Sequence, residues 1–447
     1  MSFMNSNLYI KLLLFCFWYS LSFAQLEWNS KKSKITIPFE LTHNLIIVDV
    51  VINDVDLKMI LDTGSERNLL FSFPDNSNIE FYNPKTIKVK GLGYGENLEA
   101  IVSSKNILTL KNESLIDKNF EILLITNQNI GLINKLGIPI NGIIGSSFFK
   151  DYIVELNYSR KKIFLFKNHN KTLNKKVKRF DKTNVELIQN KPYINLTITN
   201  NKSITNVNLL FDSGLGDGLW LFEDDSIKCS NNFFIDILGK GLGGDVTGKK
   251  SRVNDLQIDR FHLKDALVSY PDTISINHLE LVNDRNGSLG GEINKRFNWL
   301  LDYKNSVFYF KKNKLFNEPF NYNMSGIEVQ HEGLEWVQEI RRTTANATYN
   351  KLDITEHIFN DSDLKNISNY SLKSVYLVHS VRKNSPAYKS GVQEGDKIIK
   401  INGKNAYHFT IQKITDLFQS EEGKKIKLEV QREGEILEFE FYLEKIL

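Results

Sequence analysis

Cysteine is nearly absent from this chain, with two residues in 447, Cys16 and Cys229. Once a leader carrying Cys16 is removed, no internal disulfide can form, so the fold has to stand on its core alone. Long apolar runs are missing beyond the N-terminus, and none approaches the length of a membrane-spanning helix; no transmembrane anchor is expected in the mature chain. Charge of one sign is not in excess. The formal net charge is +4, and many of the positive residues sit in one run, Lys167 to Lys182, which reads as a solvated basic linker; nucleic-acid binding is not expected. The histidines His43, His169, His331, His379 and His408 are scattered without ligand spacing, so neither a metal nor a cofactor is expected. Helical periodicity is scarce outside Ser146 to Asp151 and Thr410 to Gln419.

What is present begins with a processing segment. Lys11 precedes the apolar run Leu12 to Phe23, which ends in Ser22-Phe23-Ala24. Residues 1–24 therefore read as a signal peptide cleaved near Ala24, and the chain is expected to be exported to the periplasm, the cell envelope or the medium. A lipid anchor through Cys16 is disfavoured, because bulky Phe15 stands where a small residue is needed. Hydrophobic residues make up 41% and charged residues 25%, which places the remainder among soluble globular chains, long enough for two or three domains.

Leu57 to Leu61 is an apolar strand that runs into Asp62-Thr63-Gly64-Ser65, and Leu209-Leu210-Phe211 runs into Asp212-Ser213-Gly214-Leu215. The surroundings repeat as well. Lys90-Gly91-Leu92-Gly93-Tyr94 begins 28 residues after the first Asp, and Lys240-Gly241-Leu242-Gly243 begins 28 after the second. Ile143-Ile144-Gly145 and Ser288-Leu289-Gly290 follow, and each closing glycine is 13 residues before a tyrosine, Tyr158 or Tyr303. Each tyrosine leads into an aromatic strand, Ile163 to Phe166 or Val307 to Phe310. Four landmarks in one order at nearly one spacing mark an internal duplication. Strand-like segments dominate both copies, so the fold class is mostly β.

Two carboxylates at equivalent strand ends can meet across a pseudo-twofold axis, share one proton and titrate as a coupled pair. The ionised member can take a proton from water while the protonated one polarises a carbonyl. Thr63 and Ser213 can tie the two turns together, and Gly64 and Gly214 permit close approach. Ser65 can offer a hydroxyl to Asp62; Leu215, at the matching place, cannot serve Asp212, which predicts an asymmetric pair. Gly91, Leu92, Gly93, Tyr94, Gly241, Leu242 and Gly243 sit where hairpin flaps would cover a bound peptide.

Together these motifs resemble the retropepsin-like aspartic proteases, over roughly Lys34 to Lys314. The resemblance implies a catalytic pair of Asp62 and Asp212, polypeptide substrates bound as extended strands, and a single-chain, two-lobe form. The expected organisation is a first lobe over residues 25–166, the linker over 167–182 and a second lobe over 183–314. The third region, residues 318–447 with a core at 375–447, carries Ser385-Pro386-Ala387, Gly391, Gly395-Asp396 and Asn402-Gly403. It resembles a PDZ domain of the bacterial envelope-protease type, an α+β module. That resemblance implies a groove beside the Thr410–Gln419 helix for a peptide C-terminus, with Ser325, Gly326 and Ile327 as the candidate carboxylate loop. The polar segment 343–369 reads as an inserted loop. Two other functions are compatible with these motifs: a peptide-binding protein without turnover, and a PDZ-centred adaptor with structural lobes.

Overall fold

Segments rich in Ile, Val and Leu, closed by short polar turns, make this a mostly β fold with few helices. The computed structural model describes residues 26–74, 79–89, 98–110, 113–125, 135–167, 171–200, 203–241, 244–276, 281–344 and 364–447. The expected signal peptide lies outside them. The chain divides into two units, one holding most of residues 26–319 and the other holding 320–447 with the short segments 131–139 and 234–236.

In the first unit the two halves of the sequence use one construction. Leu45–Ile52 runs antiparallel to Val55–Leu61, as Lys191–Asn200 does to Ser203–Phe211. Each pair is entered through a two-residue left-handed turn, His43-Asn44 (φ 48° and 65°) or Gln189-Asn190 (φ 51° and 61°). Such turns match the twist of the strands that they join, and Asn tolerates this region better than most residues. A short strand then lies parallel to each motif strand, Gly142–Ile144 beside Met59–Leu61 and Gly287–Leu289 beside Leu209–Phe211. Glycine is needed at 142 and 287, because any Cβ there would strike the carbonyl of Leu69 or Trp220 on the next strand. A long hairpin completes each half, Leu98–Leu110 with Leu115–Ile125 and Gly244–Ile258 with Phe261–Pro271.

A six-stranded antiparallel sheet joins the halves. Its order is Asp181–Asn184, Val307–Lys312, Phe297–Asp302, Ile153–Asn157, Lys162–Phe166 and Lys34–Pro38. At its seam Val154 lies opposite Leu301, and Leu156 opposite Trp299. Trp299 meets Phe211, the residue before Asp212, edge to face with ring centroids 4.8 Å apart. Burying rings of this size stabilises by about 2–3 kcal/mol each, so the motif strand is anchored directly in this core.

Three local expectations need correction. The basic run Lys167 to Lys182 is no mere solvated linker: Lys171–Val177 is helical, and Leu173 packs on Phe164, Phe166 and Leu300. Lys176 also bonds the fully buried carboxylate of Glu155, an ion pair that needs the helix to bring the lysine over the sheet. The helical turn after Gly145 is a 3-10 turn, confined to Ser146–Phe149. The polar segment 343–369 is not all loop, since Ile327–Thr344 and Leu364–Val381 form one long antiparallel hairpin whose ends enter it.

In the second unit the sheet order is Ile327–Thr344, Leu364–Val381, Lys397–Ile401, Lys425–Arg432 and Glu435–Tyr442. The Pro386–Ser390 helix is capped by Ser385 and ends at Gly391, whose φ of 100° suits glycine. Thr410 caps the helix Ile411–Phe418, which buries Ile411, Ile414 and Phe418. Asp396 is fully buried and is held by Arg432 through two bonds of 2.6 and 2.8 Å. Through that pair the Asp396 carboxylate fixes the Gly395-Asp396 turn to the strand that carries Arg432.

Candidate active site

Asp62 and Asp212 stand at the ends of their motif strands. The parallel neighbour holds each in place: Asp62 N–H donates to Ile144 O and Asp212 N–H to Leu289 O, both at 2.9 Å. The chain then turns so that an amide reaches back, Gly64 N to Asp62 Oδ1 at 2.7 Å and Gly214 N to Asp212 Oδ1 at 3.0 Å. The two turns interlock. Thr63 Oγ1 donates to Phe211 O at 2.6 Å and accepts from Ser213 N at 3.0 Å. In mirror fashion Ser213 Oγ donates to Leu61 O at 2.8 Å and accepts from Thr63 N at 3.0 Å. Thr63 is 0% and Ser213 1% exposed, so water cannot stand in for either hydroxyl.

The glycines bring the two carboxyls together. A Cβ built on Gly64 would stand 2.7 Å from Asp212 Cγ, and one on Gly214 would collide with the Asp62 carboxyl. The carboxyls hydrogen-bond each other, which requires a proton between them. Burial, followed by the like charge of Asp212, holds Asp62 well above the ordinary carboxyl range. Burial raises Asp212 too, but there the Arg285 guanidinium and the amides of Gly214 and Leu215 oppose it. The pair titrates as a unit, and the Arg285 guanidinium favours charge on the Asp212 side. Two carboxyls with unequal surroundings thus stand side by side at the ends of the motif strands.

The expectation for residues 65 and 215 is corrected. Ser65 Oγ donates to Arg67 O at 2.7 Å rather than to the Asp62 carboxyl, and it is the Ser65 amide that serves Asp62. The Leu215 amide serves Asp212 in the same way, while its side chain packs on Trp220, Leu238 and Val246. Serine and leucine are therefore equivalent towards the pair. What makes the pair asymmetric is Arg285, which belongs to no motif. The signal was present in the duplication, since Arg285-Asn286-Gly287 in the second copy matches Ile140-Asn141-Gly142 in the first.

Of the flap residues, Gly91, Leu92, Gly93, Tyr94, Leu242 and Gly243 lie outside the described residues. Gly241 ends the strand Phe234–Gly241, which pairs with Gly244–Ile258.

Ser325, Gly326 and Ile327 do not form an open carboxylate loop. The amides of Ser325 and Gly326 both donate to Asn323 Oδ1, at 3.0 and 3.1 Å, and Ile327 N donates to Ser325 Oγ at 3.0 Å. With their donors spent internally, these amides have none left for a peptide carboxylate. The strand Ile327–Thr344 is nonetheless an edge of its sheet. Beside it, still within the second unit, Gly137 packs on Ile411, and Lys135 pairs with Glu328 at 3.2 Å.

Among the described residues, no group of three or more His, Cys, Asp and Glu is placed to hold a metal ion. No described helix is long and apolar enough to cross a membrane.

A family model described as a PDZ domain matches residues 377–432, and the chain carries that domain. The chain is also similar to the carboxy-terminal processing protease CtpA of Bacillus subtilis (strain 168), 40% identical over 58 residues. That match spans 13% of this chain and 12% of CtpA.

Proposed function

We propose that this chain is an aspartic-type endopeptidase in which Asp62 and Asp212 activate water against a peptide bond. The close approach of the two carboxyls, each standing against the glycine of the opposite turn and held there by the Thr63–Ser213 interlock, carries the proposal. Asp212 accepts a proton from the bound water as its oxygen attacks the scissile carbonyl carbon, and Asp62 gives its proton to the carbonyl oxygen. The resulting gem-diol collapses when a proton passes to the leaving nitrogen and the C–N bond breaks. Both carboxyls then return to their starting states. Gly64 N and Gly214 N keep each carboxyl oriented while charge moves between them.

The duplicated turns support a single-chain member of the retropepsin-like proteases, with lobes over residues 25–166 and 183–314, and with the Gly91–Tyr94 and Gly241–Gly243 stretches as flaps. The PDZ domain supports peptide binding, and the similarity to a protein named as a processing protease adds weight to peptide chemistry. Export through residues 1–24 would bring the enzyme to extracytoplasmic polypeptides. The test is incubation of the mature protein with a peptide library, with and without a statine peptide. Cleavage abolished by the inhibitor supports the proposal. Peptide binding without any cleavage would instead favour a receptor that has kept the dyad and lost turnover.

A further inference from the structure

Superposing the two copies through their strand registers exposes a difference in chemistry beside the pair. Tyr193 lies opposite Leu210 and Ile47 opposite Ile60, and both Leu210 and Ile60 stand two residues before an Asp. Tyr193 therefore matches Ile47. By the same register, Lys191 matches Leu45, and extending the ladder by two residues places Lys191 across from Asp212. Asn286 N donates to Asn208 O as Asn141 N donates to Lys58 O, so Arg285 matches Ile140. Three buried apolar residues of the first copy, Leu45, Ile47 and Ile140, are thus Lys191, Tyr193 and Arg285 in the second.

Among the described residues the fold consumes only part of this polarity. Among the described residues neither Lys191 nor Arg285 forms an ion pair, and both keep part of their surface open. Arg285 Nε donates to Gly287 O at 3.0 Å and Nη2 to Ser288 Oγ at 2.7 Å, and its plane rests over the Phe222 ring. Its other N–H groups have no protein acceptor among the described residues. Tyr193 is 1% exposed, and its buried hydroxyl has no partner among the described residues. Two cations and an orphaned hydroxyl are costly to hold beside an apolar core unless a ligand completes them. The nearby carboxylates do not complete them. Glu66, Asp212 and Asp62 act on Lys191 only through space, and Asp212 acts on Arg285 in the same way.

Building on the endopeptidase proposal, we infer that Lys191, Tyr193 and Arg285 form a specificity recess on the second-copy side of the pair, which selects substrates with an aspartate or glutamate beside the scissile bond. A side-chain carboxylate can take the free N–H groups of Arg285 and meet the charge of Lys191, with the Tyr193 hydroxyl as the polar floor behind them, whereas the matching place in the first copy holds only apolar side chains. Arg285 is the principal determinant, because its guanidinium stays charged and its planar fork suits a carboxylate.

The test uses matched peptides that differ only in Glu or Gln on either side of one scissile bond. The wild-type enzyme should cleave a Glu peptide with kcat/KM about 10-fold or more above its Gln partner, because a close charge pair is worth that much or more. Arg285→Gln and Lys191→Met should each shrink that ratio towards one, and Lys191→Glu should favour a Lys peptide instead. Binding of the same peptides to Asp62→Asn, followed by fluorescence anisotropy, keeps specificity apart from turnover. Tighter binding of the Glu peptide with no wild-type cleavage would support the recess and overturn the endopeptidase. Equal binding and equal cleavage of the two peptides would overturn the recess and leave the endopeptidase standing.

Discussion

Replacing Thr63 with alanine tests the interlock at its centre. The hydroxyl of Thr63 serves two backbone groups of the opposite turn, accepting from Ser213 N at 3.0 Å and donating to Phe211 O at 2.6 Å. Alanine leaves that N–H and that C=O without partners in a place closed to water. Each buried orphan costs about 1–3 kcal/mol, so Thr63→Ala should destabilise the first unit by about 2–6 kcal/mol. Thr63→Ser keeps both bonds and loses one methyl group, which costs about 1 kcal/mol. Urea unfolding followed by the fluorescence of buried Trp299 separates the two outcomes, since Trp299 packs on Phe211 beside the interlock. Peptide hydrolysis should fall with Thr63→Ala as the carboxyls lose their fixed separation, and Thr63→Ser should restore it. If alanine and serine variants unfolded within about 0.5 kcal/mol of each other, the hydroxyl would not be holding the turns together.

Three further outcomes follow from the same geometry. Because burial and Asp212 raise the Asp62 carboxyl, the unfolded chain releases that proton at lower pH than the native one, and native stability falls as pH rises between the two. Asp62→Asn escapes this loss, so by urea unfolding it should match the parent near pH ~3 and exceed it by about 1 kcal/mol or more near pH ~7; equal stability at both would refute the raised carboxyl. Leu215→Ser should leave the pH–rate profile in place, because the amide and not the side chain faces Asp212, while opening a gap against Trp220 and Leu238 that costs about 2 kcal/mol. Arg432→Ala should destabilise the PDZ domain by about 3 kcal/mol in thermal unfolding, because it leaves Asp396 buried and unpaired.

The meeting of Asp62 and Asp212 was legible because its signal is local and doubled: a strand, Asp, a hydroxyl residue and Gly occur twice, with the same neighbours downstream. The six-stranded sheet was not. Ile153–Asn157 and Phe297–Asp302 pair across nearly half the length of the first unit, and both are buried too fully to show alternation. The roles of Ser65 and Leu215 were misjudged for a different reason. Residue type shows what a side chain can donate, but Arg67 O captures the serine hydroxyl and a hydrophobic cluster captures the leucine. Ser325 to Ile327 failed likewise, because Asn323 lies close enough to take their amides. Arg285, Lys191 and Tyr193 belong to no motif, and only a residue-by-residue comparison of the two copies reveals them.

The most direct test of the acid pair is hydrolysis of a library-derived peptide by wild type, Asp62→Asn and Asp212→Asn, with each variant's fold checked by circular dichroism. The shared-proton mechanism requires both carboxyls, so each single amide should lower kcat by at least about 100-fold while the β signal is retained. Near wild-type turnover by either folded variant would contradict the account.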